Sequence, residues 1–156
     1  MTQSTVSNQL WFLGQLVTVR VSTSDGKDGI SVLEHRIPHG FSPPLHLHRT
    51  EDEVFHVLEG EFRIKVQDKE QRLVAGDSIF TPKGVPHTYR VESLDGGRGL
   101  AITARGDFER FVRAVSQPAE RPELPKPSGP PSPEVIQVLK DTAAKFGIEF
   151  VGPPLQ

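Results

Sequence analysis

The amino-acid sequence predicts an all-β protein, a barrel or a sandwich, with short helices after the last strand. Turn-forming residues recur about every ten positions through the first two thirds of the chain, as they do in proteins built from many short strands. The segments between them are short, and 62–66 alternates strictly between apolar and polar residues. After residue 106 the apolar residues change to helical spacing.

The strands are predicted in the following order. Residues 10–21 form one strand, because β-branched residues are concentrated towards its end. The polar and glycine-rich segment 22–29 is a turn, and 30–37 is a second strand. Prolines and Gly40 make 38–44 a loop. Further short strands follow, each ended by a turn, at 45–49, 53–58, 62–66, 72–74, 78–81, 86–91 and 100–104.

The tail is predicted to contain two helices joined by an extended linker. Residues 107–115 place apolar side chains at helical spacing, and the seven prolines of 117–133 keep that segment extended. Ser132 is the predicted N-cap of the second helix and Pro133 its first residue. One face of this helix is expected to pack on the barrel or on a partner subunit, through Val135, Val138, Leu139, Thr142 and Phe146. The predicted organisation is a flexible N-terminus (1–8), a β-barrel (9–105) and a C-terminal extension (106–156).

Composition narrows the functional classes. The chain has no cysteine, which excludes disulfides and thiolate metal sites. Its net charge of -2, without a basic run, argues against nucleic-acid binding. No apolar stretch is long enough to span a membrane, and the first residues lack the pattern of a signal peptide. We therefore expect a cytoplasmic protein.

Two segments carry histidines at constrained spacing. The first is Gly40-x5-His46-x-His48-x4-Glu53-x6-Gly60, and the second is Gly76-x5-Pro82-x-Gly84-x2-His87. Alternate residues of a strand point to the same face, so His46 and His48 project together. Glu53 shares a face with Phe55 and Val57, whereas Asp52 points the other way. Glu51 has the parity of Glu53 but is the weaker candidate, because it lies nearer the loop.

Three imidazoles and one carboxylate suit a divalent transition metal: Fe, Mn, Co, Ni, Cu or Zn. These two segments resemble the paired motifs of the cupin superfamily over residues 40–91. The resemblance implies a double-stranded β-helix, or jelly roll, with one metal ion per chain. It also implies that the metal ligands are His46, His48, Glu53 and His87.

A looser similarity extends over nearly the whole chain. It is carried by 11–14, 43–46, 106–111, 147–149 and 152–154, which resemble single-domain bacterial cupins of the quercetin dioxygenase-like group. That group implies a homodimer. Its characterised members open a flavonol ring with dioxygen.

An apolar pocket is expected beside the metal. Its candidate lining residues are Phe41, Leu45, Phe55, Phe80 and Tyr89, with ordinary core packing as the alternative for each. His35 shares parity with Leu33 and Ile37. It is expected to be a buried structural histidine, with a supporting role near the metal as the alternative.

Three functional hypotheses follow. The first is a metal-dependent dioxygenase acting on a flavonol-like or other enolic small molecule, with Glu53 accepting the hydroxyl proton. The second is an isomerase or lyase that uses the metal as a Lewis acid. The third is a cupin that binds a small molecule without catalysis. Turnover without dioxygen in a redox-inert metal form distinguishes the second from the first, and a retained ligand without turnover indicates the third.

Overall fold

The structure is a computed structural model that describes residues 8–156, and the predicted flexible N-terminus lies outside these residues except for Asn8. Two antiparallel β-sheets make up most of it. The first sheet has seven strands, in spatial order β11 (Gln117–Pro118), β1 (Gln9–Phe12), β2 (Gln15–Val21), β3 (Ser31–Ile37), β10 (Gly97–Thr103), β5 (Glu53–Glu59) and β8 (Ser78–Thr81). The predicted all-β jelly roll is confirmed.

The second sheet has five strands and carries most of the histidine motif. In spatial order they are β12 (Ile148–Gly152), β4 (Leu45–His48), β9 (His87–Val91), β6 (Glu61–Val66) and β7 (Lys69–Val74). The outer strand β12 was not predicted from the sequence. The predicted boundary at 105/106 therefore does not separate barrel from extension, because β12 pairs along β4 and completes this sheet.

The prediction of one continuous strand over 10–21 is wrong. The chain reverses at Leu13 and Gly14, whose φ angles are 47° and 85°, and β1 pairs back on β2. Two consecutive positive φ angles are typical of the tight hairpin turns that match the twist of the flanking strands. Leucine is an unusual residue for the first of these positions, which explains why the sequence pattern concealed the turn.

Two helices complete the fold, α1 (Asp107–Val115) and α2 (Pro133–Lys145). As predicted, the Ser132 side chain accepts a hydrogen bond from the Val135 N–H, and Pro133 is the first helical residue. The predicted inner face of α2 is partly wrong. Leu139 and Phe146 pack on the core, but Val135 and Val138 are exposed, because the helix turns Ala143 inwards instead.

The buried apolar residues form two clusters. One lies between the first hairpin and the helices, and it contains Phe12, Val17, Leu33, Phe111 and Ile148. The other lies between the sheets deeper in the barrel, and it contains Ile37, Phe55, Val57, Phe62 and Val91. Residues of both clusters line the cavity described below, next to the histidines of the motif. No helix within 8–156 is long and apolar enough to cross a membrane.

Candidate metal centre

The histidines of the two motifs converge in the second sheet. His46 on β4 is the direct cross-strand partner of His87 on β9, and their ring centroids are 4.5 Å apart. His48 lies two residues along β4 on the same face, 5.4 Å from the His87 ring. One ring nitrogen from each histidine lies within 4.8 Å of the other two. The spacing of the motif thus produces a cluster because strand parity and cross-strand pairing act together.

Glu53 reaches this cluster from the opposite sheet, at the start of β5. Its Oε2 is 3.0 Å from Nε2 of His87 and 3.6 Å from Nε2 of His48. Asp52 points away, as its parity predicts, and its carboxylate accepts a hydrogen bond from the Lys83 backbone N–H. His56 also faces outward, against the Ser78 hydroxyl.

Backbone carbonyls fix the orientation of two of the imidazoles. Nδ1 of His46 is 2.8 Å from the Pro44 carbonyl oxygen, and Nδ1 of His87 is 3.0 Å from that of Val85. A carbonyl oxygen only accepts, so in both rings Nδ1 carries the proton. When either ring is neutral, its Nε2 then carries a lone pair. The Glu53 oxygen beside Nε2 of His87 is also an acceptor, so this contact requires a cation, either a proton or a metal ion.

Glu51 lies beside the third imidazole, in a supporting position that the sequence did not predict. Its carboxylate is buried, with Oε1 3.4 Å from Nδ1 of His48. The same carboxylate accepts hydrogen bonds from the backbone N–H groups of Phe108 (2.6 Å) and Asp107 (3.2 Å) in the first turn of α1. The residue before α1, Gly106, has no capping side chain, so Glu51 performs this function from another element.

The electrostatics of the cluster favour a bound cation. Burial opposes ionisation of Glu53, but His48 and His87 outweigh it and lower the pKa of this carboxyl to about 2. Burial also opposes protonation of His48, yet Glu53 and Glu51 raise the pKa of its imidazole above the ordinary value. Burial, together with His87 and His48, lowers the pKa of His46 to about 3. The carboxylates of Glu53 and Glu51 thus face the imidazoles and favour a positive charge among them.

The donor set fits a divalent transition metal. Both ring nitrogens of buried His48 lack a hydrogen-bond partner within residues 8–156, although buried polar atoms are nearly always paired. Histidine ligands of metals are ordinarily oriented through their other ring nitrogen by a carbonyl or carboxylate, which is the arrangement of His46 and His87 here. For His48, the nearest such group is the Glu51 carboxylate, 3.4 Å from Nδ1.

A cavity of about 440 Å³ adjoins the cluster. Glu53, His46 and His87 lie in its wall, and most of its other lining side chains are apolar or aromatic. Three predicted lining residues, Phe41, Phe55 and Tyr89, do line it, with the Phe55 and Tyr89 rings stacked 5.6 Å apart. The C-terminal segment supplies another part of the wall, including Ile136 and Lys140 of α2 and Phe150 of β12.

The predictions for Phe80 and Leu45 are wrong. Phe80 is 56% exposed, because on β8 the alternation turns its neighbours Ile79 and Thr81 into the cavity instead. Leu45 lies outside the cavity wall and packs near Gly152 of β12. Ile79 was not predicted as a lining residue, because its aliphatic side chain gives no functional signal in the sequence.

A comparison with protein-family models assigns residues 33–102 to a cupin domain, a range that contains the histidines and Glu53. Residues 33–102 are a cupin domain. The chain is 29% identical over 82 residues to quercetin 2,3-dioxygenase of Bacillus subtilis, which is 53% of this chain and 24% of that protein. It is also 48% identical over 46 residues to the uncharacterized protein YdbB of the same species, 29% of this chain and 41% of that protein.

This cupin therefore spans less than half the length of either of these curated relatives. Among solved structures, it is similar to one described as a predicted oxalate decarboxylase from Thermotoga maritima. The TM-score is 0.57 at 21% identity, and the alignment covers 67% of this chain and 98% of the other. Similarity at this level supports the fold and not the reaction.

Proposed function

We propose that this cupin binds one divalent transition metal per chain through His46, His48, Glu53 and His87. The observation that carries the proposal is the convergence of three imidazole nitrogens and a carboxylate whose pKa is held low, beside a largely apolar cavity. When bound, the metal supplies a Lewis-acidic centre with open coordination positions for reactants.

We further propose that the protein is a dioxygenase acting on a flavonol-like or other enolic small molecule. The cavity suits a planar, mostly apolar substrate, because the stacked rings of Phe55 and Tyr89 form part of its wall. Glu53 lies in the cavity wall, so its carboxylate is placed to accept the proton of a substrate hydroxyl. The partial similarity to quercetin 2,3-dioxygenase supports the same reaction class.

The character of the cavity makes a phosphorylated substrate less suitable. Within the described chain, Lys140 at its mouth is the one lysine or arginine among the lining residues. Binding of a phosphate ordinarily uses several basic groups or a helix N-terminus. An isomerase or lyase acting on sugar phosphates is therefore disfavoured by the same observation that favours an uncharged ring system.

Oxygen consumption tests the reaction. Protein loaded separately with iron, manganese, cobalt or nickel is supplied with a panel of flavonols, β-diketones and catechols in an oxygen electrode. We expect substrate-dependent uptake in at least one metal form and its loss in His48→Ala. The absence of uptake with every pair contradicts the dioxygenase, and anaerobic turnover by the zinc form supports a Lewis-acid enzyme instead.

A further inference from the structure

His35 is a buried titratable residue in the cavity wall that the proposed metal site does not use. It lies on β3 and is only 4% exposed. Its Nδ1 is 2.8 Å from Oε1 of Gln15, a residue of β2 that is itself 2% exposed. Its Nε2 has no hydrogen-bond partner within residues 8–156. A buried polar atom without a partner is destabilising, so its retention in a cavity wall needs an explanation.

The Gln15 contact sets the chemical character of Nε2. An amide oxygen only accepts, so Nδ1 of His35 carries the proton and Nε2 presents a lone pair. The Gln15 amide also interacts with the Tyr89 hydroxyl, another group of the cavity wall. One buried amide thus connects two polar groups that a ligand in the cavity can meet.

The surroundings keep this imidazole neutral and in place. Phe108 stacks on it with ring centroids 5.9 Å apart, and Phe12 meets it edge-on at 6.3 Å. Both phenylalanines also line the cavity. Burial lowers the pKa of His35 to about 4 and outweighs the opposing effect of Glu53, so the ring is uncharged at neutral pH.

We propose that His35 is a specificity residue that accepts a hydrogen bond from a hydroxyl group of the ligand, held in its acceptor tautomer by Gln15. The ligand class is therefore a mostly apolar ring system that carries a free hydroxyl donor away from the metal. An ether or a bare hydrocarbon of the same shape leaves Nε2 unpaired and binds less tightly. The inference deepens the proposed function, since it concerns the same cavity, but it does not require a metal or a reaction.

A matched pair of probes tests this proposal. The probes are 2-naphthol and 2-methoxynaphthalene, which differ in the hydroxyl proton that methylation removes. Their affinities are measured by calorimetry under argon on the full-length wild type and on His35→Phe. The variant keeps an aromatic ring against Phe108 and removes the acceptor. His56→Phe is the control, because His56 is a partly buried histidine outside the cavity wall.

We expect the wild type and His56→Phe to bind the naphthol about tenfold more tightly than its ether, as one hydrogen bond allows. In His35→Phe the two affinities should agree within about twofold. A preference that persists in His35→Phe overturns the proposal, and so does equal binding, or no binding of either probe, in the wild type. If His35→Phe does not fold, Gln15→Met decides, since losing the amide should reduce the preference.

The same pair measured on His48→Ala separates this proposal from the proposed function. Loss of the metal in that variant should leave the naphthol preference in place, because His35 and Gln15 remain. A preference that vanishes in His48→Ala shows that the metal site, and not His35, recognises the hydroxyl, and it overturns the inference. Failure of the oxygen-uptake assay leaves this result unaffected.

Discussion

His46 and His87 are direct cross-strand partners on β4 and β9, and each donates its Nδ1–H to the carbonyl of the residue two positions before it in the chain. This repeated arrangement gives both imidazoles the same tautomer and directs both Nε2 lone pairs to one point. Pro44 itself supplies the carbonyl for His46. Val85, followed by Pro86, supplies the carbonyl for His87. The site is therefore oriented mainly by backbone, before any metal binds.

Glu51→Gln tests whether the buried carboxylate beside His48 supports the metal site. We expect metal affinity to fall by about 10- to 100-fold, as it does when an outer carboxylate of a histidine ligand is lost. Stability should also fall by about 1–3 kcal/mol, because a neutral amide accepts less strongly from the first turn of α1. Chelator competition and urea unfolding measure the two effects.

Asp52→Asn is the matched control for that variant. Asp52 is the exposed neighbour of opposite parity, and its carboxylate accepts a hydrogen bond from the Lys83 backbone N–H. It should leave metal affinity unchanged. If Glu51→Gln lowers stability but leaves metal affinity at the wild-type value, then Glu51 is a helix cap without influence on the site.

His35 should make stability depend on pH. Its folded-state pKa of about 4 lies below the ordinary value of 6.5. Between pH 6.5 and pH 4, His35 is therefore protonated in the unfolded chain but not in the folded chain. Stability is therefore lost as the pH falls from 6.5 to 4, by about 3 kcal/mol from this residue alone. The free energy of unfolding, measured across this range for wild type and His35→Phe, should fall less steeply in the variant.

Because other buried groups such as His46 titrate in both proteins, the difference between the two curves isolates His35. His56→Phe should reproduce the wild-type slope. Parallel curves for wild type and His35→Phe would mean that His35 becomes protonated without cost in the folded state, contrary to its burial.

Gly99→Ala should destabilise the barrel. A Cβ on this residue of β10 would lie 2.5 Å from Cζ of Phe55, a ring that cannot retreat without entering the cavity or displacing Tyr89. Overpacking of this kind costs about 1–3 kcal/mol. Gly26→Ala is the control, because its added Cβ meets nothing within 4 Å. Equal urea midpoints for the two variants would show that Phe55 has free space.

The sequence was most informative within β-strands, where side chains alternate between two faces. Parity alone distinguished Glu53 from Asp52 and placed His46 and His48 together, because a strand offers only two faces. It failed where a long-range contact decides the outcome. Glu51 had the right parity, but nothing local showed that the first turn of α1 would lie against it.

The turn at Leu13 and the strand β12 were missed for different physical reasons. Leu13 takes a positive φ that its side chain disfavours, so the tertiary pairing of β1 with β2 overrides local preference. Residues 148–152 are a short apolar run after a glycine, and only the open edge of β4 selects a strand there. The part of the cavity wall formed by α2 depends on the same pairing of β12 with β4. A local sequence pattern could not predict it.

Metal content tests the central claim most directly. Untagged wild type, His48→Ala and the control His56→Ala are purified in parallel and their metals quantified by plasma mass spectrometry. The account predicts near one divalent transition metal per chain in the wild type and in His56→Ala, and its loss in His48→Ala. Equal metal content in all three proteins, or none in the wild type after reconstitution, would contradict it.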